Sequence, residues 1–301
     1  MNLSPIILFV YNRLYHTEQV INSLKNNTLA DKSDLYIYAD GPKSEDDSIK
    51  VQEVRAYLKT IDGFKNIHIQ LQETNLGLAK SITKGVTEIV NKFNKVIVLE
   101  DDIVTSPYFL PYMNDALHYY EDKEDVASIH GYIYPVTQKV PQAFFLKGAD
   151  CWGWATWKRA WDLFEPNGQI LLDQIIEKGL EREFDFDRSY PYVQMLKDQV
   201  ADLNNSWAIR WYASTFLKNK LTLYPGHSLV QNIGNDSSGT HSDTTSVFDV
   251  PLYSSKVPVE REVIVSKEGY QAFVDYFNSS KTPNKKSPNK KIRDLFKRFF
   301  R

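Results

Sequence analysis

The chain of 301 residues is 42% hydrophobic and 25% charged with a net charge of −2, a globular composition with room for one large α/β domain or two modest ones. Its single Cys151 excludes an internal disulfide and fits a reducing compartment, and no apolar run is long enough to span a bilayer. Residues 281–301 hold nine basic residues and one acid, so the preceding 280 carry −10, and so acidic a body argues against nucleic acid as a partner.

The start, "MNLSPIILFVYNR", lacks a basic leader region and a small-residue cleavage site, so it reads as a first strand and a cytoplasmic protein is expected. Strand-like runs then recur at roughly the spacing of a βα unit. They are "PIILFVY" from Pro5, "DLYIYAD" from Asp34, "NIHIQLQ" from Asn66 and "KVIVLED" from Lys95. Helical patterns lie between them. "HTEQVINSLKNN" puts Val20, Ile21 and Leu24 on one face. "SEDDSIKVQEVRAYLKTI" opens with Ser44 and Asp47 at capping-box spacing and continues with Ile49, Val51, Val54, Leu58 and Ile61. "LAKSITKGVTEIVNKF" repeats Leu78, Ile82, Val86, Ile89 and Val90. Alternating strands and helices predict a parallel sheet with ligands at the carboxyl ends of its strands. The polar groups fall at those ends: Asn12-Arg13, Asp40-Gly41-Pro42, Asn75 and Glu100-Asp101-Asp102.

After Pro107 the pattern changes. A helix is expected over 108–120, then short strands in "VASIHGYIY" and "QAFFLKG". The aromatic stretch "CWGWATWKRAWDLF" carries Trp152, Trp154, Trp157 and Trp161, of which at least two belong to a core. Helices are expected near 187–203 and 207–218, followed by a strand, a turn and the Gly/Ser-rich loop "NIGNDSSGTHSD". "SSKTPNKKSPNKK" has the composition of a linker. In "NKKIRDLFKRFFR", Ile292, Leu295, Phe296, Phe299 and Phe300 recur at helical spacing among Lys and Arg, the pattern of a basic helix lying on an anionic membrane surface.

The acid triplet carries the chemistry. Adjacent carboxylates repel and are costly to bury, so a cation belongs beside them. Mn²⁺ or Mg²⁺ suits such oxygen ligands and can bridge a diphosphate leaving group. No P-loop is present, and no Gly-rich turn follows the first strand, which argues against a P-loop enzyme, a dinucleotide-binding fold and a nucleotidyltransferase.

Four segments, "FVYNR", "ADGP", "ETNLGLAKSITKG" and "VIVLEDDIVTSPYF", resemble metal-dependent glycosyltransferases of the GT-A fold, above all family 2 and the N-acetylglucosaminyltransferase I group. The resemblance implies an α/β GT-A domain over 1–278, a mainly parallel twisted sheet flanked by helices. Its Rossmann-like nucleotide-sugar half would span about 1–106 and its acceptor half about 107–278, with linker and tail over 279–301. It implies that Asn12, Arg13, Asp40, Asn75 and Gly77 face the nucleotide, that Glu100 and Asp101 lie beside the sugar nucleotide, and that Asp102 binds the metal. It places Trp152, Gly153 and Trp154 near donor sugar and acceptor, and makes His241 of the late loop a second metal ligand. An inverting enzyme also needs a carboxylate as base. The matching position before Trp207 reads Asn205-Ser206, so Asp202 is the first candidate, with Asp198 and Asp150 behind it. The implied activity is transfer of a hexosyl or N-acetylhexosaminyl group from a nucleotide-diphosphate donor to a glycan or lipid-linked acceptor in bacterial surface polysaccharide synthesis, at the inner face of the membrane. A non-catalytic scaffold of the same fold is the alternative, and a nucleotidyltransferase a weaker one.

Overall fold

A computed structural model describes residues 3–236 and 245–281. Ten strands and ten α-helices follow in chain order among these residues. The first half reads β1 (Ile6–Val10), α1 (Leu14–Lys25), β2 (Asp34–Ala39), α2 (Glu45–Leu58), β3 (Asn66–Leu71), α3 (Leu78–Phe93), β4 (Lys95–Glu100) and β5 (Ile103–Thr105). Next come α4 (Phe109–Tyr119), β6 (Val126–His130), β7 (Ala143–Lys147), β8 (Trp154–Trp157), α5 (Lys158–Trp161), α6 (Gly168–Glu177), α7 (Glu181–Phe184), α8 (Tyr192–Val200) and α9 (Trp207–Leu217). The chain closes with β9 (Leu221–Pro225), β10 (Val230–Asn232) and α10 (Lys267–Lys281).

Eight strands form one sheet in the order β3-β2-β1-β4-β8-β6-β9-β7, so a single sheet runs through both expected halves. The first four are parallel, as expected, because β1 and β4 are apolar on both faces and buried throughout their centres. Beyond β4 the sheet is mixed: β8 is antiparallel to both β4 and β6, β9 is parallel to β6, and β7 is antiparallel to β9. Four of the seven pairings are parallel, so the sheet is mainly parallel as expected, with its antiparallel pairings all beyond β4. The helix α3 lies close on β1, since a Cβ on Gly85 would come within 2.8 Å of the Phe9 ring.

Three local expectations change. Trp154–Trp157 is a central strand, not merely an aromatic cluster; its four residues run directly into α5 and leave no visible alternation. The run "VASIHGYIY" stops being a strand at His130. Ile49 is 71% exposed, although Val51, Val54 and Leu58 of the same helix are buried.

Strand order also locates the crevice. From β1 the chain builds outward through β2 and β3, then returns to place β4 on the other side of β1. Ligands of open α/β sheets bind at such a reversal, outside the carboxyl ends of the two strands. Those ends carry Asn12-Arg13 and Glu100-Asp101-Asp102.

Candidate functional site

The cation beside the acid triplet is Arg13. It stands just before α1, where its carbonyl accepts from Thr17 N (3.0 Å) and Thr17 Oγ1 (2.8 Å). Its Nη2 reaches Asp102 Oδ2 at 2.8 Å and also bonds Asp101 Oδ1, while its Nε is 3.4 Å from Asp101 Oδ2. Burial pulls the guanidinium pKa down, but the charges of Asp101 and Asp102 outweigh this and hold it above its ordinary value. Asp101 is raised by burial, against the opposing pull of Arg13. Glu100 is pushed up to about 8 by burial and by Asp102 and Asp101, so it holds its proton at neutral pH. One guanidinium and one proton thus neutralise most of the triplet.

The late chain closes on the same acids. Strand β10 pairs antiparallel with β5, directly after the triplet. Ile233 N donates to Asp102 O at 2.9 Å. A Cβ on Gly234 would lie 2.4 Å from Asp102 Oδ2 and 2.9 Å from Arg13 Nη1, so any side chain there would push the ion pair aside. Thr245 N bonds Asn235 O at 3.1 Å. His241, the expected second metal ligand, lies outside the described residues. His16 was not foreseen. It is buried in the first turn of α1 and sits 3.2 Å from Asp236 Oδ2 through Nε2. Its only sequence signal is its place three residues after Arg13.

The residues expected to face a nucleotide build the wall of this crevice. The Asp40 carboxylate accepts from Gly41 N (2.9 Å), Leu76 N (2.8 Å) and Gly77 N (2.9 Å). Asn75 Nδ2 donates to Gly41 O at 2.8 Å. Asn12 Nδ2 and Tyr11 OH each donate to Asp47 at 2.9 Å, tying the end of β1 to the start of α2. The Tyr11 bond holds Asp47 below the usual carboxylate range; Ser44 caps the helix by accepting from Asp47 N at 3.3 Å, and its hydroxyl also donates to Asp47 Oδ2 at 3.2 Å.

Trp152, Gly153 and Trp154 divide. Trp154 pairs with Val98 in register, two residues before Glu100, so this segment stands beside the triplet. Trp154 itself is fully buried, stacked on Trp207 at 5.4 Å, and leaves the set of sugar contacts. Trp152 is partly buried, edge-on to Tyr132. Its backbone N donates to His130 Nε2 at 3.0 Å, and burial drives His130 down to about 3, so the imidazole stays neutral. Gly153 holds a left-handed conformation, φ +57°, and accepts from Gly131 N at 2.7 Å.

The base candidates are placed very differently. Ser206 caps α9, accepting from Ile209 N at 3.2 Å, so no carboxylate stands before Trp207. Asp202 is exposed in a left-handed turn after α8. Asp198 is buried and accepts from Gln194 at 2.8 Å. Asp150 is buried beside Tyr224, whose hydroxyl donates to it at 2.9 Å, and burial raises it to about 6. The next residue, Cys151, feels the charges of both Asp150 and the triplet members Glu100 and Asp102.

Among the described residues no three His, Cys, Asp or Glu side chains converge as a complete cation cage. The oxygens of Asp101 and Asp102 are nonetheless hard donors, which fits a cation that completes its coordination with diphosphate and water.

No protein-family model and no curated protein matches this sequence. Solved structures offer partial likenesses. TarS of S. aureus is 17% identical over 48% of this chain and 24% of its own, with a TM-score of 0.32, so this chain spans about a quarter of its length. The mannosyltransferase PcManGT of Pyrobaculum calidifontis, solved with GDP-Man and Mn²⁺, is 11% identical over 71% of this chain and 68% of its own, with a TM-score of 0.39. A UDP-glucose pyrophosphorylase complexed with UDP-glucose is 12% identical over 54% of this chain and 79% of its own, with a TM-score of 0.32.

Proposed function

We propose that the chain is a GT-A type glycosyltransferase, dependent on Mn²⁺ or Mg²⁺, that moves a hexosyl or N-acetylhexosaminyl group from a nucleotide-diphosphate donor to a glycan or lipid-linked acceptor with inversion. The observation that carries this reading is the meeting of Arg13, Asp101 and Asp102 at the β1–β4 reversal, with the Gly234 backbone closed onto them. No Gly-rich loop follows β1 to cradle phosphates. The phosphates would then be met by charged side chains and by a bound cation, which supplies positive charge to the leaving diphosphate. Asp102 would hold that cation, with Glu100 and Asp101 beside the sugar nucleotide. His241 is proposed as the cation's second protein ligand. Asn12, Asp40, Asn75 and Gly77 would border the nucleotide, and Trp152 and Gly153 the transferred sugar.

For the proton of the acceptor hydroxyl, the geometry favours Asp150 over Asp202. Burial raises the Asp150 carboxyl to about 6, near the pH at which a general base works best. The nucleotide half is proposed to end near 106 and the acceptor half near 278. Among the described residues no helix is long and apolar enough to cross a membrane. The tail, 290–301, lies outside the described residues and is proposed to hold the enzyme on an anionic inner membrane surface, near surface-polysaccharide synthesis.

A thermal-shift screen of nucleotide sugars with and without Mn²⁺, followed by a transfer assay with each hit, tests the reading. Metal-dependent stabilisation by a nucleotide sugar supports it; no shift with any donor refutes it. The Ser206 cap where a carboxylate was expected favours a second reading, a non-catalytic sugar-nucleotide-binding scaffold. Binding without transfer or hydrolysis would select that one.

A further inference from the structure

The triplet already has a cation, and its position bears on how a metal would arrive. We infer that the Arg13 guanidinium is the resident counter-ion of the acid cluster, that it competes there with a divalent cation, and that its transfer onto the donor's diphosphate makes room for the metal, so that nucleotide strengthens metal binding. This rests on the nucleotide-diphosphate reading above.

Three observations support it. First, Asp102 Oδ2 is occupied: Arg13 Nη2 lies 2.8 Å away, where a cation at ordinary oxygen-ligand distance of about 2.0–2.6 Å would meet the guanidinium charge. Second, the side of Asp102 that faces Arg13 is crowded. A Cβ on Gly234 would stand 2.4 Å from Asp102 Oδ2 and 2.9 Å from Arg13 Nη1. Guanidinium and metal therefore compete for that oxygen. Third, no three potential ligands converge among the described residues. The other titratable groups facing the cluster are Glu100 and His16.

A diphosphate resolves the conflict. The planar guanidinium fork matches phosphate oxygens as well as it matches carboxylates. A donor that takes Arg13 frees Asp102 and brings further oxygen ligands to the same place. Metal and nucleotide then bind with reciprocal coupling. Arg13 acts here as a positioning residue.

The test measures free Mn²⁺ by electron paramagnetic resonance during titration of wild type, Arg13→Gln and Arg13→Lys, each alone and with UDP or GDP. In the wild type, the nucleotide that binds should tighten Mn²⁺ by about 30-fold, within the usual range of such couplings. Arg13→Gln should bind Mn²⁺ alone about tenfold tighter than wild type and bind nucleotide without metal about tenfold more weakly. Arg13→Lys, which keeps the charge, should stay weak for Mn²⁺ alone. Arg13→Gln also leaves carboxylates unneutralised, so its melting temperature should fall and Mn²⁺ should restore it; the wild-type arm needs no variant. Unchanged Mn²⁺ affinity in Arg13→Gln beside normal nucleotide binding, or equal wild-type Mn²⁺ affinity with and without nucleotide, overturns the hand-over alone. Failure of both nucleotides to bind wild type with Mn²⁺ overturns the glycosyltransferase reading and the hand-over with it.

Discussion

Replacing Asp150 by Asn should make the protein more stable at pH 7.5, though the change removes a hydrogen-bonded charge. The carboxyl is buried beside the Tyr224 hydroxyl, and burial moves its pKa from 3.8 to about 6. The fold therefore binds this proton more tightly than the unfolded chain does. Stability from that preference is complete below about pH 3.8, falls as pH rises through about 6, and is gone above it. The folded protein then carries a buried anion whose net cost is about 3 kcal/mol at pH 7.5. Asn keeps the shape and an oxygen for Tyr224 while discarding the charge. Glu100 slopes in the same direction up to about pH 8, but it is common to both proteins and cancels in the difference. Urea unfolding at intervals from pH 4 to 8 should show the Asn variant level with wild type at pH 4 and ahead by about 2–3 kcal/mol at pH 7.5. If Asp150 is also the base, the stabilised variant should bind donor normally and lose turnover. Parallel stability curves, or an Asn variant weaker at pH 7.5, would refute the burial argument.

Asp102→Asn should abolish transfer and Mn²⁺-dependent nucleotide binding while the melting temperature stays near or above that of wild type; full activity would end the metal reading. Asp202→Asn, in an exposed turn, should keep kcat within about twofold, and a loss of several orders of magnitude would return the base to it. Gly234→Ala forces a methyl group against Asp102 and Arg13, so it should cost about 1–3 kcal/mol in unfolding experiments and weaken donor binding more than tail or surface changes do. Removing 282–301 should abolish binding to anionic liposomes at low salt and leave transfer to a soluble acceptor nearly unchanged; undiminished liposome binding would exclude the tail as anchor.

Sequence pattern disclosed the first half of the fold because each signal there is long. Strands β1 and β4 are unbroken apolar runs, and α3 repeats its apolar residues over four turns. It disclosed the second half poorly. Strand β8 is four residues long and lined on both faces by core, so neither alternation nor length marks it. The site was legible as far as charge logic reaches: three acids at a strand end required a cation. The cation's identity was not, since Arg13 lies 88 residues away along the chain and only strand order brings the two together. Asp40 looked like a ligand-binding acid for the same reason that any polar strand end does. Its three backbone donors come from two different loops, and sequence carries no trace of that arrangement.

Strand register binds core and site into one constraint. Ile6, Ile7 and Leu8 lie opposite Ile97, Val98 and Leu99, and Phe9 lies opposite Glu100. The apolar run of β4 ends at Leu99 and that of β1 two residues further on, at Val10, so the residues beyond them, Asn12-Arg13 and Asp101-Asp102, emerge at the same end of the sheet. A slip of one residue would turn every side chain of a strand to its other face and carry Arg13 away from the acids. The apolar pairing that buries β1 and β4 therefore also sets the ion-pair distances, and the three charges are tolerable only in that register. The acids, which would destabilise the end of an isolated strand, penalise misaligned β1–β4 pairings and so help select the sheet that creates the site.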